Sequence, residues 1–404
     1  MDLGISARLR PILDEVKRFI ENEILPLEHE FFAEIDKDDR WSFTPRQTEI
    51  METLKSKARE RGLWNFFLTD HEHGHGLNTV EYAYIAEETG KSHLAPEVFN
   101  CNAPDTGNME VLARYGTPEQ QQRWLVPLLA GEIRSAYVMT EPDSASSDAT
   151  NISASAVLEG DEWVINGDKT WISGAGDPRC KILIVMVKSS PQASRHAQHS
   201  QILVPMDTAG VEVLRPMMVF ATDDAPHGHM HMRFTNVRVP RANIIAGEGR
   251  GFEVAQGRLG PGRIHHCMRA IGQAERALEL MCRRGLSRSA FGKPLVKLGA
   301  NYDIIAKARM DIEMARLLCL KTAYHMDTDG VQESQHWISM IKTVAPSVAL
   351  DVIDEAIQMH GGLGISQDTP LAGMYMATRT LRFADGPDAV HRMVVARREL
   401  RAYR

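Results

Sequence analysis

Cysteine is scarce in this chain: five residues in 404, at positions 101, 180, 267, 282 and 319. None is in C-x-x-C spacing, so the set reads as reduced thiols and excludes a disulfide framework or a cysteine zinc site. Long hydrophobic runs are also missing. The greasiest stretch, "KILIVMVK" at 181–188 without its leading cysteine, is far too short to span a bilayer. The N-terminus "MDLGISARLRPILDEVKRFIENEILPLE" has no apolar signal core and too many acids for a transit peptide, so a cytoplasmic protein is expected. Positive charge is in deficit, with 46 Lys+Arg against 53 Asp+Glu and a net charge of −7. No basic cluster is interleaved with aromatics, which argues against a nucleic-acid partner. The Arg-rich end "HRMVVARRELRAYR" reads instead as the close of a solvated helix.

What is present is a globular composition, 43% hydrophobic and 25% charged, in a chain long enough for two or three packed units. Twenty methionines read as core filler. The texture falls into three zones, which set expected domains of 1–132, 133–248 and 249–404. The first is helical. "ARLRPILDEVKRFIENEILP" carries an apolar stripe at helical spacing. "TPRQTEIMETLKSKARERG" opens on a Thr cap and closes at Gly62, and Thr117-Pro118 opens another helix. The second is extended. Asn166-Gly167 in "VLEGDEWVINGDKTWISGAG" predicts a hairpin turn, and "KILIVMV", "QILVPM", "VEVLRPM" and "HMHMRFTNVRVP" predict further short strands. The third returns to long amphipathic helices, one of them with Pro346 predicting a kink or break. The predicted class is α+β: a helical N-terminal domain, a central β-barrel or sandwich, and a C-terminal helical bundle.

Four stretches carry chemistry. "AYVMTEPDSASSD" (136–148) is a strand running into a loop of small hydroxylated residues, suited to bring backbone N–H groups to an anionic or carbonyl-bearing ligand. "KTWISGAG" (169–176) sets Trp171, able to cover a flat ring, beside a hydroxyl. "QMHGGLGISQD" (358–368) ends a helix in glycines that admit a second backbone. "RFADGPDAVH" (382–391) holds two acids and a histidine, and Asp385 is a candidate base or the start of an Asx turn before Gly386. Asp388 and His391 read as a solvated acid and a helix-surface residue. His227, His229 and His231 alternate along one predicted strand, a pattern a zinc site could use, but no Cys or acid stands at ligand spacing and no metal is expected.

With "VMTEP", "INGDKTWISGAG", "VPRANIIAGEGRGF", "RSAFGKPL" and "QMHGGLG" in that order, the chain resembles the acyl-CoA dehydrogenase family of flavoenzymes over nearly its whole length. Its nearest likeness is the dehydrogenase part of certain kinase-fused members. The resemblance implies a helical domain, a β-domain and a four-helix bundle, with FAD between the latter two. It implies α,β-desaturation of an acyl-CoA, with an electron-transfer flavoprotein as acceptor and a homodimer or homotetramer as assembly. It places Tyr137, Met139, Thr140, Trp171 and Ser173 at the flavin, with the Ser173 hydroxyl towards ring nitrogen N5. Ser147 falls near both the FAD phosphates and the acyl-CoA. Arg288, Phe291, Gln358, Gly361 and Gly362 fall where the family reaches the partner subunit's FAD. Arg263 and Gly386 fall at the substrate.

The family commonly shows Y-E-G-T where this chain has A-D-G-P, which puts Asp385 on the base position. The "GPGR" segment, where another branch carries its base, has no carboxylate here. Asp is one methylene shorter than Glu, Pro387 has no N–H to donate, "EPDSASSD" is one residue longer than the usual loop, and Gly260 replaces an acidic CoA contact of some members. Three other readings stay open: a nitroalkane oxidase-like flavoenzyme with an Asp base, an enzyme for 4-hydroxy or 4-phosphoryl acyl-CoA with His265 and His266 at the acyl group, and a catalytically silent interaction protein.

Overall fold

The computed structural model describes residues 1–37 and 39–403. The helices that matter below are α1 (Leu9–Phe19), α2 (Pro45–Glu60), α3 (Thr79–Thr89), α4 (Asp105–Tyr115), α5 (Gly251–Ser287), α6 (Asn301–Asp329), α7 (Gln335–His360), α8 (Leu371–Thr380) and α9 (Asp388–Glu399). The strands are β1 (Arg134–Val138), β2 (Ser155–Glu159), β3 (Glu162–Ser173), β4 (Cys180–Lys188), β5 (His199–Pro205), β6 (Val211–Pro216) and β7 (His229–Pro240). The order is the expected one: helical, then β, then helical. Packing divides the chain into two compact units, one of residues 1–28, 66–97 and 260–404, the other of 29–65 and 98–259.

The second unit is built on one seven-stranded mixed sheet, ordered β1-β4-β2-β3-β7-β6 with β5 on β4. β1 runs parallel to β4, while β3 and β7 pair antiparallel and set Ser173 opposite His229. Alternating residues of these strands, among them Val138, Ile165, Val185, Val204 and Met232, form the core under the sheet. Local caps behave as read. The Thr44 hydroxyl accepts from the Gln47 N–H at 3.1 Å and Gln47 Oε1 accepts from the Thr44 N–H at 3.0 Å, a capping box that starts α2. Thr117 does the same for the helix beginning at Pro118.

Two expectations are corrected. Asn166-Gly167 is not a hairpin turn, because β3 runs through it; the turn lies at Gly160-Asp161, with Gly160 at φ +63°. Asn166-Gly167 instead sits where the β3–β7 register shifts, and Asn166 Oδ1 accepts from the Asn236 N–H at 2.8 Å. A Cβ at Gly167 would stand 2.6 Å from the Cβ of Ala154, so the glycine serves close packing rather than a turn. Of the kink or break expected at Pro346, the break is excluded: α7 continues through it to His360, with Pro346 buried.

The first unit is helical. α7 packs against α6, α8 and α9, and α3 packs against α1 and α6. Ile312 and Ala315 of α6 and Ile338, Ile341 and Ala345 of α7 are buried. The Asp327 carboxylate of α6 accepts from the N–H groups of Thr79 (2.9 Å) and Val80 (3.1 Å), an anion at the positive end of α3. α5 and α3 cross so closely that a Cβ at Gly272 would lie 1.9 Å from the Glu87 carbonyl oxygen. Among the described residues, no helix is long and apolar enough to cross a membrane.

Candidate active site

In the sheet unit, β1 ends at Val138 and delivers Met139 and Thr140, both half-buried. The loop is pinned from β3. The Lys169 ammonium is fully buried, donates to the carbonyls of Met139 (3.0 Å) and Met186 (2.7 Å), and lies 3.0 Å from Glu141 Oε1. Glu141 also accepts from the N–H groups of Ser153 and Ala154, both at 2.8 Å. Burial pulls the Lys169 ammonium below its ordinary range, and Glu141 opposes it. The Thr170 N–H donates to the Thr140 carbonyl at 2.9 Å, so both neighbours of Thr140 and its own carbonyl are tied down.

Trp171 follows at φ +59° and is 47% exposed, a ring turned out of a strand by the β3 register shift. Ser173 Oγ lies 2.8 Å from His229 Nδ1. Tyr137 is half-buried, with the Arg258 guanidinium 4.0 Å from its ring centre and its hydroxyl accepting from Gln201 Nε2 at 2.9 Å. Arg258 Nε donates to Asn108 Oδ1 at 3.1 Å. Ser147 is exposed in a turn, while its neighbour Ser146 accepts from the Glu141 N–H at 3.0 Å.

In the helical unit, Asp385 sits in the turn before α9 at φ +54°, with its side chain 21% exposed. Its Oδ2 lies 3.5 Å from His266 Nε2, and its carbonyl accepts from Arg263 Nε at 2.9 Å. A Cβ at Gly262 would stand 3.8 Å from the same Oδ2, so α5 keeps the space beside the carboxylate small-sided. Gly386 follows at φ +109°, backed by His391: a Cβ there would be 2.9 Å from His391 Nε2. Buried Lys342 of α7 donates to the Leu381 carbonyl and holds the start of the turn.

The readings of Asp388 and His391 are corrected by their packing. His391 is 3% exposed, with Nδ1 3.2 Å from Ser339 Oγ, and burial pushes it down to about 4 beside the charges of Arg263 and Lys342. Asp388 is not solvated: Arg382 reaches it through Nη2 at 2.7 Å and Nε at 2.8 Å. His265 is buried against Tyr82, ring centres 4.7 Å apart.

Arg288 and Phe291 lie on a short hairpin after α5, and Phe291 is 94% exposed at φ +50°. Gln358, Gly361 and Gly362 are exposed at the end of α7. A Cβ at Gly285 would meet Val296 Cγ1 at 2.5 Å and Met359 Sδ at 3.7 Å, so these two glycine-rich ends share one end of the helical unit. The histidine row is divided. His229 and His231 open β7, His227 precedes it, and His231 Nε2 lies 3.7 Å from Asp168 Oδ2. Among the described residues, no group of three or more His, Cys, Asp or Glu stands where it could hold a metal ion.

The sequence reading did not single out Arg258, Lys169, Glu141 or Lys342. A lysine inside the apolar run of α7 is the one such signal the pattern offered.

Family models of the acyl-CoA dehydrogenase N-terminal, middle and C-terminal domains match residues 6–132, 136–237 and 249–400. The chain is 55% identical over 403 residues to mouse Acyl-CoA dehydrogenase family member 10, covering 98% of this chain and 37% of that protein. It is 51% identical over 405 residues to a Mycobacterium tuberculosis protein named "Probable acyl-CoA dehydrogenase FadE2", covering 99% and 97%. The chain thus spans about half or less of the animal and plant relatives it matches, and nearly all of the mycobacterial one. A Mycobacterium abscessus structure described as a candidate acyl-CoA dehydrogenase superposes with a TM-score of 0.96 at 53% identity, over 99% of this chain and 100% of that one. The chain belongs to the acyl-CoA dehydrogenase family of oxidoreductases.

Proposed function

We propose that this chain is an FAD-dependent acyl-CoA dehydrogenase that desaturates the α,β bond of an acyl-CoA thioester, with Asp385 as the base that takes the α-proton. The observation that carries the reading is Asp385 itself. Its carboxylate is mostly covered, stands 3.5 Å from His266 Nε2, and is carried on a turn fixed by Arg263 and by the positive φ of Asp385 and Gly386. A carboxylate held away from bulk water is a stronger base than a solvated one. The Asp385 backbone N–H is the proposed donor to the thioester carbonyl, where charge develops as the proton leaves.

The residues present fit a flat cofactor bearing phosphates. Trp171 offers an exposed ring face, and Thr140 sits in a loop locked by Lys169 and Glu141. Tyr137, Met139, Thr140, Trp171 and Ser173 would hold the ring, and Ser147 the phosphates. When bound, FAD supplies the acceptor for the hydride that leaves the β-carbon. Arg263 and Gly386 would line the substrate beside the base. A 94% exposed Phe291 is costly in water. It supports a homodimer or homotetramer in which Arg288, Phe291, Gln358, Gly361 and Gly362 address the FAD of a second copy. An electron-transfer flavoprotein as acceptor and a cytoplasmic setting belong to the same proposal, the latter supported by five free cysteines.

The test is anaerobic. Purified, FAD-loaded protein is mixed with a panel of saturated acyl-CoA thioesters, and flavin absorbance is followed. Bleaching is expected with the wild type and lost in Asp385→Asn with FAD still bound. Equal bleaching by Asp385→Asn removes the base assignment. Peroxide formation from a nitroalkane selects an oxidase, and a protein that takes up no FAD selects a non-enzymatic role.

A further inference from the structure

The histidine that opens β7 belongs to no metal-holding group among the described residues, yet it is not idle. His229 stands directly opposite Ser173 in the antiparallel β3–β7 ladder, with Nδ1 2.8 Å from Ser173 Oγ. On the far side of the imidazole, Nε2 lies 3.5 Å from Asp224 Oδ2. We propose that His229, oriented by Asp224, fixes the direction of the Ser173 hydroxyl, so that Ser173 presents a hydrogen-bond acceptor to the cofactor ring and favours the ring's reduced form. This rests on the reading that the chain binds FAD with Ser173 at the ring nitrogen.

The argument is one of hydrogen counting. A hydroxyl has one proton to give and two lone pairs, and a neutral imidazole has one N–H and one bare nitrogen. Which nitrogen carries the hydrogen is set by the partners on both sides. An ionised carboxylate only accepts, so Asp224 favours the tautomer with hydrogen on Nε2. Nδ1 is then bare, and Ser173 must donate to it. The remaining lone pairs of Ser173 Oγ are left for whatever lies on the open side. Such an oxygen welcomes a ring nitrogen that carries hydrogen and repels one that does not.

The surroundings hold this arrangement in place. Burial lowers the basicity of His229, which keeps the ring neutral. The Met217 N–H takes the His229 carbonyl at 2.7 Å, and the Gly174 N–H bonds the carbonyls of His227 and Gly228, both at 3.1 Å, so the backbone on either side of the pair is fixed. The Trp171 ring lies 6.4 Å from the imidazole, which puts the relay beside the aromatic face proposed for the cofactor.

The experiment measures the two-electron midpoint potential of the FAD-loaded full chain by dye equilibration, with FAD occupancy and the visible spectrum recorded alongside. The variants are His229→Leu, His229→Asn, Ser173→Ala and the double Ser173→Ala/His229→Leu. His229→Leu frees the hydroxyl to donate, and the reduced form is expected to lose about tenfold in its equilibrium against the oxidised form, a fall of about 30 mV. His229→Asn, whose amide oxygen can stand near the Nδ1 position, is expected to restore the potential towards wild type. In the Ser173→Ala background, His229→Leu is expected to add nothing. A potential unchanged by His229→Leu overturns the proposal and leaves FAD binding intact. An equal fall with or without Ser173 overturns it too, since His229 would then act by another route. A wild-type protein that takes up no FAD removes both readings.

Discussion

Asp385 Oδ2 lies 3.5 Å from Nε2 of His266, on the same helix that sends Arg263 to the aspartate's own carbonyl. α5 therefore meets Asp385, the proposed base, twice, once at its backbone and once at its acid. The two contacts differ in kind. Arg263 holds the turn by a hydrogen bond to its backbone, whereas His266 stands beside the carboxylate, where it can orient it. An acid one methylene shorter than glutamate has less reach, so its direction matters more.

His266→Gln is accordingly expected to slow flavin bleaching by acyl-CoA by about tenfold, with FAD occupancy and melting temperature unchanged. Misplacing a reacting group by about 1 Å can cost on the order of a hundredfold, and loss of one orienting contact is a smaller error. Stopped-flow absorbance at saturating acyl-CoA separates this from weaker binding. An unchanged rate constant would show that His266 does not orient the base.

Gly386 is the second point where the turn is committed. Its φ of +109° suits glycine, and an added Cβ would stand 2.9 Å from His391 Nε2. Gly386→Ala is expected to destabilise the protein by about 1–3 kcal/mol, the usual range for forcing a side chain into such backbone. Urea unfolding measures it. His391→Ala costs stability of its own, because the ring is buried and bonded to Ser339, so the comparison is made within that background: there the contact is gone and the backbone strain stays, and Gly386→Ala should cost less than in the wild type but not nothing. No cost at all in that background would place the whole effect in the contact with His391.

Local grammar was legible and tertiary pairing was not. Thr44 and Thr117 announce their helices because a cap needs only partners three residues away. β7 was legible as "HMHMRFTNVRVP" because alternation is a property of one strand. Asn166-Gly167 misled because the same dipeptide that favours a turn also fits a register shift, and only the approach of Ala154 decides between them. His391 looked like a surface residue because nothing in its own helix reveals Ser339 on α7. Asp385 could be placed by motif, but its grip by His266 and Arg263 spans more than a hundred residues. The Ser173–His229 pair depends on a bulge between Lys169 and Ile172 that sets the register. Periodicity shows which face a side chain takes; it does not show what stands across from it.

Glu110 of α4 offers a test of the sheet unit by pH. The residue is half-buried, but its Oε2 is shut off from solvent and has no hydrogen-bond partner among the described residues. Burial raises its carboxyl to about 8 from an ordinary 4.5, and the Arg258 charge only partly offsets this. The sign follows from proton counts. Between pH 4.5 and 8 the folded protein holds a proton that the unfolded chain has released, so stability falls as pH rises through that window. Below it both states are protonated and nothing is lost. Glu110→Gln keeps the shape and cannot ionise. It should match wild type near pH 4 and exceed it at pH 8, by on the order of 1–3 kcal/mol once the partial exposure is allowed for. Urea midpoints at a series of pH values read this directly. Two curves that run parallel from pH 4 to pH 8 would mean that Glu110 ionises in the folded protein as freely as in the unfolded chain.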